Sequence, residues 1–183
     1  MKILAICGSL RAGSLNRHLL RAAAALAPAG TEVELAELHG IPVFDEDLEK
    51  TGMPETVAAL RARCDAADAL LFGTPEYNYG VPGGLKNAVD WLSRRVEGHQ
   101  VFDGKPVALM GASMGMGGTI RAQLALRQSL QLLNAFTLPQ PEVFVASAQT
   151  RFDAEGNLTD EATRKAVARL MAGFATWIAR TKD

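Results

Sequence analysis

With 183 residues, 48% hydrophobic content and a net charge of −1, the chain has the length for one α/β domain with a sizeable core and too little for two of ordinary size. Its positive residues are scattered, so the footprint of a nucleic-acid binder is missing. No apolar run approaches the roughly 18 residues of a membrane span, and Met1-Lys2-Ile3 leads straight into a first strand. We therefore expect no nucleic-acid partner, no membrane insertion, no signal peptide and a cytoplasmic location.

In chain order, short apolar runs at 2–7, 32–36, 69–74, 106–112 and 142–145 read as strands. Helical patterns at about 15–27, 55–66, 84–93, 119–134 and 160–180 lie between and after them. Runs such as Ala69-Leu70-Leu71-Phe72-Gly73 do not alternate, as expected of strands covered on both faces. Strand and helix in alternation predict a parallel sheet built from βαβ units. The fold expected is a flavodoxin-like three-layer sandwich, a single domain over 1–183 with a five-stranded sheet of order 2-1-3-4-5. The last helix carries Ala162, Ala166, Leu170, Phe174, Trp177 and Ile178 on one stripe, with Thr159 placed to cap it. Cys7 and Cys64 sit in apolar surroundings and are assigned to packing. His18, His39 and His99 have no metal-ligand spacing, and Asp45-Glu46-Asp47 reads as a solvated loop.

Ligands of such sheets bind beyond the carboxyl ends of the strands, beside the switch point. That rule selects the loops after the first, third and fourth strands. The first, Gly8-Ser9-Leu10-Arg11-Ala12-Gly13-Ser14-Leu15-Asn16, joins a buried strand to a helix N-terminus. There, backbone N–H groups and the helix dipole favour an anion. Ser9, Ser14 and Asn16 add short donors and Arg11 a charged fork. Gly8 and Gly13 have nearly the spacing of a nucleotide P-loop, but Ser14 stands where that loop needs its Lys, which disfavours a triphosphate and leaves a terminal phosphate. The second loop, Thr74 to Gly84, has Pro75 and Pro82 stiffening its ends. Between them Tyr77, Asn78 and Tyr79 form a ledge suited to a flat heteroaromatic ring with a hydrogen-bonding edge. The third, Ser113-Met114-Gly115-Met116-Gly117-Gly118-Thr119, brings glycine amides and a serine to the far edge of such a ring and lacks the dinucleotide pattern. Lys86 and Asp90, four apart on a helix, read as a surface pair.

The combination Gly-Ser-Leu-Arg-x-Gly-Ser-x-Asn at 8–16 and Pro-Glu-Tyr-Asn-Tyr-x-Val-Pro-Gly-Gly-Leu-Lys-Asn-Ala-x-Asp-Trp-Leu-Ser at 75–93 resembles the NADPH-dependent FMN reductases, especially their bacterial quinone and chromate reductase branch. Gly104-Lys105-Pro106-Val107, Ser113-Met114-Gly115 and Pro141-Glu142 fall in the expected order, so the resemblance spans nearly the whole chain. It implies bound FMN, with its phosphate on Ser9, Arg11, Ser14, Leu15 and Asn16. It places the ring along Glu76, Tyr77, Asn78 and Tyr79 and a further contact at Ser113; Pro75 and Gly115 complete the candidate cofactor-binding set. The resemblance also implies NAD(P)H as co-substrate, small-molecule oxidants such as quinones, azo or nitro compounds, chromate or flavin, and a homo-oligomer, dimer or tetramer. No side-chain base or metal is required, since the flavin carries the redox chemistry. No 2′-phosphate site is readable, so NADPH and NADH both stand as hydride donors. Trp91 and Tyr79 are the expected dimer contacts, with Arg121 and Glu142 as a charged pair for a second interface. The segment 96–103 is longer than the linker the resemblance implies. Two other readings stay open: a flavodoxin-type one-electron carrier, for which that resemblance implies a more acidic surface, and a phosphosugar or mononucleotide binder without redox function.

Overall fold

A computed structural model describes residues 1–181. Its strands are β1 (Lys2–Cys7), β2 (Glu32–Ala36), β3 (Ala69–Gly73), β4 (Pro106–Ala112), β5 (Phe136–Thr137) and β6 (Val143–Val145). Its helices are α1 (Leu15–Ala25), α2 (Glu46–Lys50), α3 (Glu55–Ala66), α4 (Gly83–Leu92), α5 (Ile120–Leu132) and α6 (Glu161–Thr181). The strands form a parallel sheet of order β2-β1-β3-β4-β5, with β6 also paired to β4. This is the flavodoxin-like order.

Period-two alternation divides the core. From β1, Ile3, Ala5 and Cys7 face one layer with Leu19, Leu20 and Ala23 of α1 and Val167, Leu170 and Phe174 of α6. Leu4 and Ile6 face the other, with Leu60 and Cys64 of α3, Leu85 and Val89 of α4, and Leu126 and Leu130 of α5. Both cysteines are free and buried. Burial, with Asp65 adding to it, pushes the Cys64 thiol up to about 12, which leaves it an inert packing group.

Four local expectations are corrected. The fifth strand position is shared by two short strands. Phe136–Thr137 runs beside Pro106–Val107 and Val143–Val145 beside Met110–Ala112, and between them lie Pro139 and Pro141, which have no N–H to give a ladder. The acidic run is the start of helix α2, whose N-terminal amide at Asp47 is capped by the Asp45 carboxylate at 2.8 Å, because carboxylates suit a helix N-terminus. Asp160, rather than Thr159, caps α6, accepting from the Thr163 amide at 2.8 Å; the Thr159 hydroxyl donates to the Arg151 carbonyl instead. Trp91 is fully buried. Its Nε1 donates to the Pro42 carbonyl at 2.9 Å and its ring packs edge-on to Phe44, so it holds the 42–44 segment to α4 and is no subunit contact.

Candidate active site

The carboxyl ends of β1, β3 and β4 are tied at one level. The Gly8 amide donates to the Gly73 carbonyl at 2.9 Å, and that of Thr74 to the Met110 carbonyl at 3.0 Å. A Cβ at Gly111 would collide with the Thr119 hydroxyl and the Thr74 carbonyl, so glycine there lets β4 pass between the second and third loops. The three loops thus rise together. They enclose a cleft of about 330 Å³ lined by Ser9, Arg11, Ser14, Leu15, Asn16, Pro75, Glu76, Tyr77, Ala112, Ser113 and Met114. A second cleft of about 560 Å³ shares Glu76 and Ser113 with it and adds Asn78, Tyr79, Gly115, Met116 and Arg121 among its walls. Every residue of the candidate set lines one cleft or both.

Their roles divide by what their atoms already bind. Ser14 is the N-cap of α1, its hydroxyl accepting from the Arg17 amide at 3.2 Å. The Asn16 carboxamide is spent on β4: Nδ2 donates to the Ala112 carbonyl and Oδ1 accepts from the Ala112 amide, each at 2.9 Å. What α1 offers the cleft is therefore backbone. The Leu15 and Asn16 amides belong to the first turn and have no intrahelical acceptor, and they lie at the positive end of the helix dipole. Arg11 is exposed, and among the described residues no carboxylate stands within ion-pair distance of it. Ser113 Oγ accepts from the Gly115 amide at 3.1 Å, and the loop is braced below by bonds from the Ser147 and Ala148 amides to the Gly115 and Ser113 carbonyls.

The second loop is held in an uncommon conformation. Tyr77 and Gly80 exchange both backbone hydrogen bonds across a two-residue turn in which Asn78 (φ 50°) and Tyr79 (φ 64°) are left-handed. Asparagine tolerates that region, whereas tyrosine there is strained. The strain is offset by what the turn presents: Tyr79 stacks under the Arg121 guanidinium, 3.8 Å from its ring centroid, and leaves its ring 72% exposed.

Glu76 does something the linear sequence did not disclose. Its carboxylate turns away from the cleft and closes the N-terminus of α5, accepting from the Arg121 and Ala122 amides at 2.9 and 3.1 Å and from Arg121 Nη1 at 2.8 Å. Burial by itself would push this carboxyl up, but those three donors outweigh it and hold the group below its ordinary range. Within this chain Arg121, expected with Glu142 at a second subunit interface, binds Glu76, and Glu142 lies 3.6 Å from Arg127. No local motif could have signalled this contact, because Glu76 and Arg121 are 45 positions apart. His39 and His99 are surface partners of Glu37 and Asp65, Lys86 pairs with Asp90, and among the described residues no His, Cys, Asp and Glu cluster could hold a metal ion. No helix among the described residues is long and apolar enough to cross a membrane.

The sheet order and a ligand cleft at its switch point define a flavodoxin-like α/β protein. The family model of the NADPH-dependent FMN reductases matches residues 1–150. An NAD(P)H-dependent FMN reductase of Pseudomonas aeruginosa is 47% identical over all of this chain and 97% of its own. A quinone reductase of Escherichia coli is 40% identical over all of this chain and 97% of its own. Among solved structures, the flavoenzyme NAD(P)H:(acceptor) oxidoreductase FerB of Paracoccus denitrificans superposes with a TM-score of 0.89, at 34% identity over 98% of both chains. The chain belongs to the NADPH-dependent FMN reductase family, and it is an oxidoreductase that works with FMN and NAD(P)H.

Proposed function

We propose that the chain seats FMN across the two adjoining clefts and passes reducing equivalents from NAD(P)H to a quinone. The observation carrying this reading is the division of the site into an amide cradle at the α1 N-terminus and a rigid aromatic turn facing it across the sheet end. An anionic phosphate fits the first, because the Leu15 and Asn16 amides, the Ser9 hydroxyl and Arg11 converge there and the one carboxylate lining the cleft, Glu76, points into α5. A planar ring fits the second, between Pro75–Tyr77 and the Ser113–Gly115 loop.

When bound, FMN would supply the two-electron chemistry that links NAD(P)H to the oxidant, which we propose runs as a ping-pong hydride transfer. The chain's residues position and polarise. Arg11 and the first-turn amides fix the phosphate end. Amides of the second and third loops stabilise negative charge that develops on the ring, as an oxyanion hole does. Tyr77 and Tyr79 bound the space in which nicotinamide and oxidant alternate. A quinone is favoured because relatives include a 2-hydroxy-1,4-benzoquinone reductase of Burkholderia, 39% identical over 97% of this chain and 96% of its own. Azo, nitro, chromate and flavin oxidants belong to the same open-faced chemistry. The working form proposed is a cytoplasmic homo-oligomer, because a flavin on an open rim needs a second subunit to help exclude water from it.

The test is a visible spectrum of the FMN-loaded protein, with NADPH added without oxygen and then a benzoquinone. Rapid full bleaching followed by full recovery supports the reading. Slow, partial bleaching points to the one-electron carrier, and failure to retain FMN overturns both.

A further inference from the structure

About one turn along α1 from the phosphate cradle, a separate recess of about 170 Å³ lies between α1, the 155–158 loop and the start of α6, lined by His18, Arg21, Glu155, Gly156, Asn157 and Arg164 among others. The cations in it are poorly matched by anions. Among the described residues Arg21 has no carboxylate within ion-pair distance. Arg164 reaches Glu161 only at 3.8 Å and otherwise donates to the Leu158 carbonyl at 3.2 Å. Glu155 lines the recess without pairing to either arginine. His18 Nδ1 is buried and has no hydrogen-bond partner. The ring is held in place by Phe152, 6.0 Å away between centroids, and by Gly156, where any side chain would strike it.

We infer that this recess is an anion site for a phosphate monoester or inorganic phosphate, gripped by the Arg21 and Arg164 forks with the His18 ring in its wall; the Asn157 carboxamide is already held by Asp153 at 2.9 Å. Planar guanidinium groups suit phosphate oxygens, and the His18 ring, packed under Gly156 at the wall of the recess, is placed to report the arrival of charge there. The charges around His18 agree. Burial lowers its pKa first, and Arg21, Arg17 and Arg11 lower it further, while Asp153 opposes them. The imidazole therefore sits in a positive field that holds its pKa down, and an arriving dianion offsets that field. Two sources of the chemistry are open to this place: free phosphate, or the 2′-phosphate that distinguishes NADPH from NADH.

The experiment titrates FMN-saturated protein, its own phosphate loop filled, with inorganic phosphate and with adenosine 2′-phosphate while following the histidine ring resonances. His39 and His99, each already beside a carboxylate, serve as internal controls. We expect a saturable shift of His18 alone, with an upward move of its titration midpoint. In Arg21→Ala, an exposed site whose loss leaves the core intact, binding should weaken about tenfold or more; Arg164→Gln should weaken it too. Tighter binding of adenosine 2′-phosphate than of phosphate identifies the nucleotide as the source, and equal binding identifies free phosphate. A His18 response no larger than that of His39 and His99, or wild-type binding in both variants, overturns the site. The readout involves no flavin reduction, so that failure leaves the proposed reaction standing.

Discussion

Arg11 and Glu76 show how charge is apportioned at the site. The Arg11 guanidinium has no carboxylate within ion-pair distance among the described residues and stands beside the open amides of α1, where a charge-assisted bond to phosphate is worth about 1.5–3 kcal/mol. Arg11→Ala should therefore weaken FMN binding roughly ten- to a hundredfold with an unchanged melting temperature, measured by quenching of flavin fluorescence. Glu76 is the opposite case, a carboxylate 8% exposed and already committed to three donors. Its folded pKa lies below the ordinary 4.5, so its contribution to stability is complete above the unfolded value and is lost as pH falls through the folded one. In urea melts, the wild type should lose stability below about pH 4.5 in part through this group. Glu76→Gln should be less stable at neutral pH and flatter across that window. A variant as stable as wild type at pH 7 would show that the α5 cap contributes nothing.

At the level of elements, the site depends on how α1, β4 and α5 are fastened together. Asn16 joins α1 to β4 through both halves of its carboxamide. Asn16→Ala strands a buried amide and carbonyl at Ala112 and should cost about 1–3 kcal/mol per unsatisfied group, read from denaturation midpoints. Gly111→Ala forces a methyl against the Thr74 and Thr119 backbone and hydroxyl, and overpacking of this kind costs about 1–3 kcal/mol or more; here the thermal midpoint should fall and the three loops separate. The second loop behaves differently. Tyr77→Ala and Asn78→Ala remove exposed side chains from a turn whose hydrogen bonds are backbone, so the flavin absorption envelope and reduction potential should change more than the melting temperature. Unchanged spectra in both would mean that the ledge does not face the ring.

For the whole molecule, the prediction is assembly. Trp91 is withdrawn as a contact by its burial, but the rim of the site still presents Tyr79, Met116, Ile120 and Leu124 to solvent, and such an apolar patch on a helix end and its neighbouring turn is the kind of surface that subunits cover. Light scattering at micromolar concentration should report at least a dimer. A monomer that oxidises NADPH at full rate would remove the oligomer from the account of the site.

Strand order, the layers of the core and the three loops that meet at the sheet end were legible in the sequence, because apolar period and the glycine and proline punctuation are local signals tied to backbone geometry. The 8–16 and 75–93 motifs carried the family as well. What Ser14, Asn16 and Glu76 bind within the fold was decided by tertiary structure. Ser14, Asn16 and Glu76 have the chemistry of ligand donors and acceptors, but each is used to fasten the frame: a cap, a strut to Ala112 and a cap in trans for α5. Burial decided Trp91 in the same way, and the two prolines after β5 decided where the fifth strand breaks. Sequence lists which groups are present; only the fold brings distant partners within hydrogen-bond reach, and a polar group buried beside a partner is claimed by it because leaving it unpaired costs more than any single surface contact returns.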